Sequence, residues 1–150
     1  MTVGPTVALI ATIFAMGAGA SLAATSSEIG RVKRSVGVAM IERGKTKVAT
    51  APGVQLHPGD VLITGKDGQI SLTFIDDTRF SVGPNSRVSV SSFDYDRTRQ
   101  TGTFLTEVNR GSLGVVSGQI AKSGKDAMKV RTPTSLLGVR GTRFIVEVGK

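Results

Sequence analysis

The sequence predicts an all-β protein, a single sandwich or roll-like domain of many short strands joined by tight turns, on three observations. Polar and apolar residues alternate without error over Gln69–Phe74, Arg79–Val82 and Arg87–Ser91. That two-residue period places one face of a strand in a core and the other in water. Turn-forming clusters separate the runs at short intervals: Pro58-Gly59-Asp60, Lys66-Asp67-Gly68, Asp76-Asp77-Thr78 and Gly83-Pro84-Asn85-Ser86. No window carries a convincing 3.6-residue period, so helices are not expected to shape the fold.

The chain opens on an export segment. No charged side chain precedes Glu28, Val7 to Leu22 is almost wholly apolar or small, and Ser21-Leu22-Ala23 satisfies the small-x-small rule before a signal-peptidase cut. Residues 1–23 are expected to leave as a signal peptide, giving a periplasmic or secreted protein. The alternative is an uncleaved inner-membrane anchor over residues 7–24. Ala and Gly dominate where an anchor would need Leu and Ile, which favours export. Residues 24–35 are expected to form a flexible mature N-terminus, and residues 36–150 the β domain.

Its first strand is placed on Val36 to Ile41, with Arg43-Gly44-Lys45-Thr46 as the turn that follows. Around Ser91-Ser92 the apolar parity slips by one, from Val88 and Val90 to Phe93 and Tyr95, which predicts a bulge or a bend onto a second sheet. Asp94 to Gly102, charged and with Tyr95 its only apolar residue, is expected to be a long exposed loop. Further strands fall on Thr103 to Val108, Leu113 to Ser117, Met128 to Thr132 and Thr142 to Val148. In the last of these Phe144, Val146 and Val148 share the core face. Gly141 is expected to act as a backbone hinge and Arg140 to brace its turn.

The function classes narrow by exclusion. At 150 residues the chain allows one domain, and with no Cys, no Trp and one His it offers no disulfide, no thiolate nucleophile and no multi-His zinc site. Gly44-Lys45-Thr46 lacks the upstream glycine of a phosphate-binding loop, Asp94-Tyr95-Asp96 lacks the ligands that would complete a calcium loop, and Asp76-Asp77 precedes Thr78 as an ordinary turn. His57, beside Pro58-Gly59-Asp60, has no second His at metal-ligand spacing. No catalytic, cofactor-binding or metal-ligating residues are therefore assigned. A balance of 19 Lys+Arg against 11 Asp+Glu, net +8, favours an acidic partner. The few aromatics are expected in the core, which argues against a nucleic-acid groove. Arg97, Arg99, Lys125, Lys129 and Arg140 are the candidate contacts for a partner or ligand.

Pro58-Gly59-Asp60, Thr64-Gly65, Asp67-Gly68, Asp76-Asp77-Thr78, Pro84-Asn85-Ser86 and the closing Val139-Arg140-Gly141-Thr142-Arg143-Phe144 together resemble the FecR domain, over roughly Val54 to Val148. The resemblance implies an envelope-facing β domain that, in the regulators of that family, receives a signal from an outer-membrane receptor and passes it to an inner anti-sigma segment. Only six residues precede the apolar segment here. The expectation is an exported, non-catalytic sensing or protein-interaction module without the cytoplasmic anti-sigma part. Its motif residues Pro58, Gly59, Asp60, Asp67, Gly68, Gly141 and Thr142 would serve structure. The partner would be an envelope protein or an anionic envelope polymer, and the alternative function is binding of envelope glycan or another anionic ligand. Oligomeric state is left open by the sequence.

Overall fold

The computed structural model describes residue 4 and residues 27–149. The expected signal peptide or anchor lies outside the described residues. Twelve strands follow in order: β1 (Gly30–Val36), β2 (Ala39–Arg43), β3 (Thr46–Ala49), β4 (Gln55–Leu56), β5 (Val61–Thr64), β6 (Gln69–Phe74), β7 (Arg79–Val82), β8 (Arg87–Asp96), β9 (Thr101–Val116), then after α1 (Gln119–Ser123) β10 (Met128–Arg131), β11 (Leu136–Val139) and β12 (Arg143–Val148). Pairing is antiparallel except between β9 and β10, which run parallel.

One long strand organises everything. The first half of β9 lies between β8 and β10 in a sheet ordered β3-β2-β5-β8-β9-β10-β11, and its second half lies between β7 and β12 in a sheet ordered β4-β1-β6-β7-β9-β12. The two sheets face each other across a phenylalanine cluster. Phe74 and Phe80 from one meet Phe93 and Phe104 from the other at ring-centroid distances of 4.8 to 5.6 Å, mostly edge to face. Such pairs add about 0.5–1.5 kcal/mol each beyond the area they bury. Leu62, Leu72, Val88, Leu113 and Val130 extend this core on the strands around it.

β9 can serve both sheets because its register shifts where Arg87 pairs with Arg110 and Val88 with Val108, leaving Asn109 as an extra residue. Inward positions then pass from Phe104, Thr106 and Val108 to Leu113 and Val115, a change of parity that keeps apolar side chains in the core on both sides of the bend. Gly111 completes the bend at φ 84°, and a Cβ there would lie 2.1 Å from the Ser86 hydroxyl. The slip expected at Ser91-Ser92 is also present: Ser91 is the extra residue between Val90, paired with Thr106, and Ser92, paired with Leu105.

Three expectations are corrected. Residues 24–35 are not a flexible lead-in throughout, because β1 begins at Gly30 and pairs with both β4 and β6, burying Ile29 and Val32. A register shift between Val32 and Arg34 and the exposed Arg31, Lys33 and Arg34 hide this strand in a charged stretch. Val36 to Ile41 is not one strand: Gly37 turns the chain at φ 63°, so Val36 ends in one sheet and Ala39 begins in the other. Asp94 to Gly102 is not a loop but a two-stranded ribbon, with Asp94 on Thr103, Tyr95 on Gly102 and Asp96 on Thr101. As expected, helices do not shape the fold: α1 is five residues long, and Ile120 and Ala121 are buried from it.

Candidate functional site

The motif turns build three buried polar locks. In the first, Arg43 donates to both Asp60 carboxylate oxygens at 2.8 Å, and the His57 amide donates to Oδ2 at 2.9 Å. The Asp60 side chain is fully buried, and its hydrogen bond raises the Arg43 pKa. In the second, Asp76 accepts the amide and hydroxyl of Thr78 (3.1 and 2.7 Å) and the Ile120 amide (3.2 Å), while the Thr78 hydroxyl accepts the Gly118 amide. The third ties Thr64 to the Gly83 carbonyl and the Ser86 amide, and the Ser86 hydroxyl accepts the Ser112 amide at 2.9 Å. Each lock joins segments distant in sequence, and in each the acceptors face committed donors, so these groups hold the fold rather than meet a substrate.

Asp76 and Thr78 were legible only as a turn. Their link to α1 was not, because it spans some forty residues of intervening chain. Among the described residues no group of three or more His, Cys, Asp or Glu is placed to hold a metal ion.

The candidate contact residues gather elsewhere, at one end of the sheet that holds β8 to β11. Because β10 runs parallel to β9 and antiparallel to β11, with Met128 opposite both Phe104 and Val139, three connections leave the sheet at the same end. These are the tip of the β8–β9 ribbon with Arg97 and Arg99, the α1–β10 turn with Lys125, and the β11–β12 turn with Arg140 and Gly141. Lys129 stands on the outer face of β10, between Leu105 and Gly138. Lys122 joins the group from α1, its Cγ 3.9 Å from where a Cβ of residue 141 would stand. Arg99 is the one of the five with an ion-pair partner among the described residues, a loose 3.9 Å contact to Asp96. The side chains of the others make no hydrogen bond or ion pair among the described residues.

That applies to Arg140 in particular. It is exposed, and its expected role as a brace is corrected: the turn is held by Thr142 and Ser117 instead. The Thr142 amide donates to the Ser117 hydroxyl at 2.7 Å, and the Ser117 amide and hydroxyl both donate to the Thr142 carbonyl at 3.0 Å. Gly141 does adopt a positive φ of 62°.

Beside this basic end the same sheet stops at β11, which among the described residues pairs only with β10. Leu136 and Leu137 of that edge strand remain 52% and 42% exposed. Adjacent strand residues point to opposite faces, so the edge overhangs the core on both sides, and the Leu-Leu doublet was the signal the sequence reading passed over. Edges of this kind are templates for a further strand. Tyr95, on the ribbon, is half-buried, and its phenol pKa is raised by burial and then by Asp76 and Asp77.

A protein-family model described as FecR protein matches residues 60–150. No curated protein and no solved structure matches the chain. The matched span takes in the second and third locks whole, the Asp60 carboxylate of the first, the basic end and the β11 edge.

Proposed function

The chain belongs to the FecR family, whose role is sensing and regulation at the cell envelope, and from that premise we propose that it is an exported, non-catalytic module that acts by binding an envelope protein through the basic end of the sheet that closes on β11. One observation carries this reading. Lys125, Lys129 and Arg140, free of partners among the described residues, converge beside an open strand edge carrying Leu136 and Leu137. Cations at the rim with apolar side chains and unpaired backbone at the centre suit an acidic partner that adds a strand, the backbone supplying affinity and the flanking side chains supplying register. Catalysis finds no support in the site, since the buried carboxylates of Asp60 and Asp76 are committed to internal donors.

The test is cross-linking of the full chain in an envelope extract through its lysines. Cross-links to a protein should fall on Lys122, Lys125 and Lys129, and Leu136→Lys should abolish them. Cross-links confined to Lys45 and Lys47 on the opposite edge, or insensitive to Leu136→Lys, would refute the proposed surface.

A further inference from the structure

A cleft of about 900 Å3 opens where β9 changes sheets, with Lys66, Pro84, Asn85, Asn109, Arg110 and Val148 among its lining. That volume falls within the few hundred to about 1,000 Å3 of small-molecule sites. The β9 bulge creates one wall: its extra residue leaves Asn109 and Arg110 consecutively exposed between the buried Val108 and Leu113. A bulge requires one residue too many, but it does not require a carboxamide followed by a guanidinium. The facing wall comes from two turns, Lys66 between β5 and β6 and Asn85 between β7 and β8, joined where the Asn85 amide donates to the Gly65 carbonyl at 3.0 Å.

The Thr64–Ser86–Ser112 lock ties the same three segments together, so the walls are held before any ligand arrives. None of the four polar side chains has a hydrogen bond or ion pair among the described residues, whereas Arg43, Arg87 and Arg131 are each paired with a carboxylate. Glu147 lines adjoining recesses that share Pro84, Asn109 and Val148 with this cleft, and it forms no ion pair with Lys66 or Arg110 among the described residues. Two cations without an ion-pair partner among the described residues thus line the cleft, beside two carboxamides that can each donate and accept, and the apolar surfaces of Pro84 and Val148.

We propose that this cleft binds an acidic saccharide. A sugar carboxylate would sit on Arg110 and Lys66, ring hydroxyls on Asn85 and Asn109, and an apolar ring face on Pro84 and Val148. The site is separate from the basic end and does not depend on the protein-binding reading.

Titration calorimetry on the full chain tests it with trigalacturonate, neutral maltotriose and inorganic phosphate. Trigalacturonate should bind at least roughly tenfold more tightly than maltotriose, and Arg110→Gln or Lys66→Gln should each weaken it by roughly tenfold with Tm unchanged. Arg97→Gln and the double reversal Lys125→Glu with Lys129→Glu should leave it intact. Failure of trigalacturonate to bind, equal binding of the two sugars, full displacement by equimolar phosphate, or the same loss in Arg97→Gln would overturn the proposal.

Discussion

At the scale of single residues, the chain separates groups that hold the fold from groups left at its surface. Asp60 and Asp76 are buried, and each satisfies several donors, so removing either carboxylate would strand polar partners at about 1–3 kcal/mol apiece. Tyr95 lies between the two kinds. It is the sole tyrosine in a chain without tryptophan, which makes its ionisation directly readable by ultraviolet absorbance. Burial and the carboxylates of Asp76 and Asp77 disfavour the phenolate, so the midpoint should lie above the ordinary value of about 10. Asp77→Asn should lower it, since Asn tolerates the positive φ of 69° at that position while removing the charge. A midpoint at or below the ordinary value would show that the ribbon does not lie over the β6–β7 turn. The linkage sign follows: this contribution to stability is present below the unfolded pKa and is lost as pH rises through the higher folded one.

At the scale of elements, two glycines at positive φ should behave differently. Gly111 stands at the β9 bend with the Ser86 hydroxyl and backbone against it, whereas the nearest atom to a Cβ at Gly141 is the flexible Lys122 side chain at 3.9 Å. Gly141→Ala therefore meets only the left-handed backbone penalty, about 1–2 kcal/mol. Gly111→Ala adds a steric conflict with the third lock, and its loss should exceed that of Gly141→Ala by at least about 1 kcal/mol in urea denaturation. Equal losses would mean that the bend can shift away from Ser86. The same comparison refines the expectation for Gly141: backbone conformation, not close packing, is what disfavours a side chain there.

At the scale of the whole molecule, topology converts scattered charge into an organised surface. The net charge of +8 is distributed through the sequence, yet the parallel pairing of β9 with β10 brings Arg97, Arg99, Lys125 and Arg140 to one end of a sheet. Among the described residues no helix is long and apolar enough to cross a membrane. Capture of an acidic envelope partner should weaken as added salt shortens the Debye length to ~8–10 Å and below. Lys125→Glu combined with Lys129→Glu should reduce capture further while leaving Tm unchanged. Binding that withstands both salt and charge reversal would place the energy in the β11 edge alone.

Strand alternation, turn chemistry and the β8 slip were legible in the sequence because they depend on near neighbours: a two-residue period marks β6, β7 and the start of β8, and Asp76-Asp77-Thr78 makes its turn locally. The motif series was likewise enough to indicate the FecR family. β1 was missed because its stability comes from pairing with β4 and β6 rather than from its own pattern, and the ribbon because backbone pairing needs no apolar side chains. What only the tertiary structure decided was the sharing of β9 between two sheets. That one strand sets which turns meet, so it fixes both the basic end and the cleft of Asn109 and Arg110, and no local pattern encodes a pairing made across the whole domain.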